Sequence, residues 1–258
     1  MKNKRILNIQ GAVLDRVQLD EYLQKIASDH VLKDKSDAST YPIDRLNENY
    51  MVIKQVYQLL NEHIKLGIPI HPAGEWILDN LYIIEEVAKT ISKDLTLKKY
   101  ENFLGLINGR YEGFARIYVL ASEMVAFTDG RINNKNLEEM IRSYQNKKTL
   151  SMDEIWNIGL FIQIALIENI RQICEKIYLS QMQKFKAQDI AQRIIEKKDR
   201  PKFKEGAHSK NYIKGEILKK NQIKYSFIEY MSYKLKKYGK QGYPYLKILE
   251  EETRKSWK

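Results

Sequence analysis

Cysteine is almost absent from this chain, with Cys174 alone among 258 residues. That excludes a disulfide framework and a thiolate metal cluster, and the apolar run around it, Ile170 to Leu179, suits a small buried hydrophobe in a reducing cytosolic compartment. The four histidines, His30, His63, His71 and His208, are scattered and never form a His-Glu-x-x-His pair, so no metal site is expected. A nucleophile elbow and a Walker loop are likewise missing, which removes the sequence basis for a serine hydrolase or a nucleotide-binding enzyme.

Long uncharged apolar runs are missing too. The most apolar window, Ile155 to Ile173, carries Asn157, Gln163, Glu168, Asn169 and Arg171, too many polar groups for a lipid-exposed span, and reads as a buried core helix. The basic start, Met1 to Arg5, is followed only by Ile6 to Leu14, broken by Asn8, Gln10 and Gly11, so secretion through a signal peptide is not expected. Strict strand alternation between turn dipeptides is almost absent as well.

What is present is helical spacing of apolar residues through most of the length, which predicts an all-α, multi-helix bundle. Helices are expected near Asp15 to Ala27, Ile43 to Leu66, Pro72 to Lys93, Leu97 to Leu104, Tyr111 to Phe127 and Lys135 to Asn146. Others follow at Ser151 to Leu179, Ser180 to Lys197, Tyr212 to Lys219, Ser226 to Tyr238 and Pro244 to Arg254. Ser151 and Glu154 form a capping box, each side chain reaching the other residue's amide. Asp129-Gly130-Arg131-Ile132-Asn133 resembles part of a calcium loop, but that register puts Val125 and Phe127 at ligand positions, so a tight turn between capped helices explains it better.

Charge divides the chain. Residues 1 to 180 hold 23 Lys and Arg against 24 Asp and Glu, whereas residues 181 to 258 hold 21 against 9. With the Pro- and Gly-containing charged stretch after Lys197, this predicts a main helical domain over 1–197, a loop or linker over 198–211, and a smaller basic helical segment over 212–258. The basic excess suits an anionic partner, a membrane surface among them. Tyrosines interleave with lysines there, but Phe227, Tyr230, Met231 and Leu235 recur at helical spacing, which favours core packing over nucleic-acid binding.

The helix expected after His71 places Glu75, Asp79 and Tyr82 on one side, with Trp76, Asn80 and Ile83 beside them. Glu75 with Asp79 is the best spaced pair for acid and base work, but carboxylates in a bundle are more often paired, here with donors such as Arg110, Arg116, Tyr118 or Arg142. Tyr144-Gln145 and Glu168-Asn169-Ile170-Arg171 pose the same question of burial and partners. A shared network is therefore expected to join the helices beginning near Pro72, Tyr111, Lys135 and Ser151.

Several strings together resemble the N-terminal region of bacterial cyclic β-1,2-glucan synthases, large membrane glycosyltransferases. They are Glu75-Trp76-Ile77-Leu78-Asp79-Asn80, Ile83-Ile84-Glu85-Glu86, Ala115-Arg116-Ile117-Tyr118, Asp129-Gly130-Arg131, Tyr144-Gln145, Ser151-Met152-Asp153-Glu154-Ile155-Trp156 and Glu168-Asn169-Ile170-Arg171. The chain departs at Ala115, where the family pattern tends to have Pro. The resemblance implies the leading piece of a longer polypeptide, or a stand-alone relative, on the cytoplasmic side and tethered to the inner membrane through its parent. The parent is implied to transfer glucose from UDP-glucose to a β-1,2-glucan, with downstream glycosyltransferase and membrane domains as partners. The machinery itself is not here: Asp-x-Asp is missing, and Trp76, Trp156 and Trp257 lack a Gln-x-x-Arg-Trp context. The expectation is a non-catalytic accessory domain without cofactor, with a glucan-binding module and a nucleic-acid binder as alternatives.

Overall fold

The computed structural model describes residues 7, 9, 11–196 and 225–256. Among these the chain forms nine α-helices and one two-stranded ladder, an all-α fold. The helices are α1 (Arg16–Asp29), α2 (Ile43–Lys65), α3 (Pro72–Asp94), α4 (Leu97–Glu101), α5 (Arg116–Phe127), α6 (Asn134–Gln145), α7 (Met152–Glu196), α8 (Tyr225–Lys237) and α9 (Tyr243–Ser256). Strands β1 (Leu32–Lys33) and β2 (Gly105–Leu106) pair antiparallel. No helix of the described residues is long and apolar enough to cross a membrane. The loop or linker expected over 198–211 and the helix expected at Tyr212 to Lys219 lie outside the described residues.

The chain packs as two compact units, Met1–Gln55 with Asp79–Cys174, and Val56–Leu78 with Glu175–Lys258. In the first, α5 is central. Arg116 through Ala121, and then Glu123, Met124 and Val125, are all buried, so this helix is covered on every side rather than along one stripe. Phe161 on α7 is fully buried beside it, its ring centroid 5.2 Å from Phe103 and 5.9 Å from Tyr118. α1 packs on α6 in the same unit.

The second unit centres on an apolar cluster of Ile68, Ala187, Ile190, Ala191, Phe227, Tyr230, Met231 and Leu235, joined by α9 residues Leu246, Ile248 and Leu249. Side-chain hydrogen bonds between residues of the unit accompany this cluster. His63 Nδ1 lies 2.9 Å from Gln181 Oε1, the Tyr230 hydroxyl donates to Gln188 at 2.9 Å, and Ser180 and Ser226 share a hydrogen bond.

Three boundaries differ from the sequence reading. α7 is continuous through Ser180, where a new helix was expected: no Pro or Gly follows Gly159 within it, and the Ser180 hydroxyl bonds Ser226 rather than capping a start. The helix expected from Tyr111 begins at Arg116, because Gly109 and Gly113 take left-handed backbone (φ 77° and 86°) and Gly113 and Phe114 bond to Leu106 instead. The helix expected to reach Leu104 stops at Glu101 so that Gly105 and Leu106 can form β2.

Candidate functional site: buried charges around the central helix

α5 begins without a side-chain cap, since Ala115 precedes it, yet its first amides are not orphaned. Ala115 N–H donates to the Tyr100 hydroxyl at 3.2 Å, and Arg116 N–H to the Leu104 carbonyl at 2.8 Å. A proline at 115 would forfeit the first of these.

This start delivers Arg116 into the core. Its side chain is 1% exposed and meets the fully buried Glu154 in a fork: Nε donates to Oε1 at 2.9 Å and Nη2 to Oε2. The same carboxylate closes the α7 capping box, accepting Ser151 N–H at 2.8 Å while Glu154 N–H donates to Ser151 Oγ at 3.3 Å. One side chain thus fixes the α7 start and binds it to α5. Burial opposes the charge on Arg116, but the bonds to Glu154 outweigh it and hold the guanidinium above its ordinary range. The guanidinium also lies over the Tyr144 ring, 5.9 Å from its centroid, and the Tyr144 hydroxyl is 2.8 Å from His30 Nδ1. Burial, then the charges of Arg116 and Lys148, bring His30 down to about 4, so the imidazole is neutral at pH 7.

A second cluster gathers on Glu168. Arg45 donates to it through Nε at 3.0 Å and Nη2 at 3.1 Å, Asn49 Nδ2 at 2.6 Å, and Arg171 Nη2 at 2.7 Å. Burial alone would raise this carboxyl, but the arginines prevail and hold it below the usual range. Both clusters satisfy their carboxylates from within the fold.

Glu123 differs. Tyr22 donates to its Oε1 at 3.0 Å, while Oε2 is buried without a hydrogen-bond partner. Burial pushes this carboxyl up to about 7, only partly offset by the Tyr22 bond. Among the described residues no group of His, Cys, Asp and Glu is arranged to hold a metal ion.

Of the residues singled out from sequence, Arg116, Glu154 and Tyr144 come together, as do Glu168 and Arg171. Tyr118 is packed among Phe114 and Phe161 rings, with burial raising its hydroxyl far above the ordinary range. Gln145 accepts Leu150 N–H at 3.3 Å, and Asn169 is half-buried beside the Gly130 turn. Glu75 and Asp79 do not join them, and the pairing expected there is corrected. Ile77, Ile84, Ala88 and Ile91 form its buried stripe, which turns Glu75 and Asp79 out to solvent, and Arg116 is already engaged by Glu154. Trp76 is 48% exposed, Asn80 partly so, and Trp156 on α7 is 73% exposed.

Sequence reasoning missed Arg45, Asn49 and Glu123. Arg45 and Asn49 stand four apart on α2, the second between buried Leu46 and Ile53, which is a legible polar insertion in an apolar stripe. Glu123 was equally visible as a carboxylate inside the apolar run of α5.

No protein-family model matches the chain. Over 156 residues the chain is 29% identical to the cyclic beta-(1,2)-glucan synthase NdvB of Rhizobium meliloti (strain 1021). The matched stretch is 60% of this chain and only 5% of that protein. The chain is therefore related in sequence to a short region of a cyclic β-(1,2)-glucan synthase.

Proposed function

We propose that these residues form a non-catalytic scaffold domain of a cyclic β-1,2-glucan synthase-like glycosyltransferase, on the cytoplasmic side of the membrane that holds the parent. The similarity to NdvB over 60% of the chain carries this reading. The internal pairing of buried Arg116 with Glu154, and of half-buried Glu168 with Arg171, supports it, because charges spent on each other are not free to bind a substrate. The partners would be the parent's glycosyltransferase and membrane domains, and the domain would hold no cofactor of its own.

Replacing the matched region of NdvB by this chain, beside a deletion of that region, tests the reading. Product is expected from the replacement and not from the deletion. Transfer of glucose from UDP-glucose by the purified chain alone would overturn it.

A glucan-binding role is the second reading, favoured by the exposed rings of Trp76, near Glu75, and of Trp156, near Asp153. A change in Trp fluorescence on titration with β-1,2-glucan, lost in Trp156→Ala or Trp76→Ala, would support it.

A further inference from the structure

Between Glu229 and Glu250 the chain contains no acidic residue and no arginine, but five lysines, Lys234, Lys236, Lys237, Lys240 and Lys247, and five tyrosines. The fold gathers most of these at the tight corner from α8 to α9. Leu235, fully buried, and Leu246 and Leu249 anchor the two helices in the one core of the second unit. Gly239 takes left-handed backbone (φ 55°), and a Cβ at Gly242 would fall 1.9 Å from the Leu235 carbonyl oxygen, so the chain returns closer than any other residue permits. Tyr238 N–H bonds back to the Lys234 and Leu235 carbonyls, and Leu246 N–H to Gly242. The corner is held from behind.

Its outward surface is cationic and aromatic. Lys236, Lys237, Lys240 and Lys247 are exposed, and none enters an ion pair among the described residues. Tyr233 and Tyr243 are 54% and 66% exposed. Lys234 lies over the Tyr230 ring at 5.4 Å, where burial, and then Lys237, lower its ammonium below the ordinary range. Among the described residues no ion pair offsets the charge crowded here.

We propose that this corner docks on a bilayer surface bearing anionic headgroups. Ammonium groups are compact point charges suited to lipid phosphates, whereas the planar forks that read bases and nucleic-acid phosphates in pairs come from arginine, which this stretch lacks. Tyrosine offers an apolar ring with a polar tip, the form that settles at headgroup level. Tyr233 also has one face against Tyr230, with centroids 5.9 Å apart and planes 23° from parallel, which leaves it a poor platform for a stacked base. The inference stands on this unit's own surface and not on the relationship to a glucan synthase.

The test is sedimentation of the full chain with vesicles of phosphatidylcholine alone, and of phosphatidylcholine with roughly a third phosphatidylglycerol, at low salt. Binding to the anionic vesicles only is expected, weakening as salt rises. At roughly fivefold in partition per lysine, the variant Lys236→Gln/Lys237→Gln/Lys240→Gln should lose about a hundredfold. Tyr233→Ser/Tyr243→Ser should lose several-fold. A control with Lys25→Gln/Lys54→Gln/Lys93→Gln, exposed positions of the other unit, should lose little. Three outcomes would overturn the proposal: equal binding to both vesicle types, retention of binding by the corner variant, or tighter binding of a single-stranded oligonucleotide than of anionic vesicles at the same salt.

Discussion

The two units solve the problem of charge in opposite ways. The first unit holds 21 Lys and Arg against 21 Asp and Glu, and it buries Arg116 with Glu154 and half-buries Glu168 with Arg45 and Arg171. The second holds 23 against 12, the whole net excess of the chain, and among its described residues it closes its core with apolar side chains and hydrogen bonds between uncharged groups, as Tyr230 to Gln188 and Ser180 with Ser226. A buried ion pair is weak evidence for stability but a strong constraint on geometry, because either partner alone is an uncompensated charge. An apolar cluster is more forgiving, and it leaves the lysines outside for other uses. The contrast teaches that four of the charged residues marking the resemblance to glucan synthases, Arg116, Glu154, Glu168 and Arg171, are engaged with one another in the fold, whereas Glu75 and Asp79 face solvent.

Four changes bear on this comparison, from the largest effect to the smallest. Arg116→Met strands Glu154 in the core and is expected to cost about 3–5 kcal/mol in urea unfolding. A second lever is pH. Glu123 holds its proton up to about 7 when folded but titrates near 4.5 when unfolded, so the folded state binds more protons between these values. Its contribution to stability is therefore full below about 4.5 and lost as pH rises to about 7. Relative to Glu123→Gln, the natural chain should lose about 3 kcal/mol across that window, read as melts at a series of pH values.

The second unit should respond less. Tyr230→Phe removes a neutral hydrogen bond to Gln188 and should cost about 1 kcal/mol by the same urea assay. Asp79→Ala, in the first unit but on the exposed side of α3, should shift stability by less than about 0.5 kcal/mol; a loss above about 2 kcal/mol would restore the network first expected there.

Much of this was legible in the sequence. Apolar spacing located the helices, and Ser151-Met152-Asp153-Glu154 gave the start of α7 because a capping box is local chemistry. What failed was tertiary. The two-residue strands have no period of their own and exist because Leu106 meets Leu32 across 74 residues of chain. Glu75 and Asp79 share a helix face, as read, but spacing alone does not say whether that face turns inward, and Ile77, Ile84 and Ile91 turn it outward. Arg116, one of four donors considered for Glu75 and Asp79, pairs elsewhere for the same reason: its partner Glu154 lies 38 residues away, and only the packing of α5 against the start of α7 selects it.

A double-mutant cycle in urea, combining Arg116→Met with Glu154→Gln, tests most directly whether these buried charges hold the fold. If they do, each single change is costly and the double costs clearly less than their sum, a coupling of about 2 kcal/mol or more. Additive effects, each below about 1 kcal/mol, would contradict the account and leave the pair in need of a role other than holding α5 to α7.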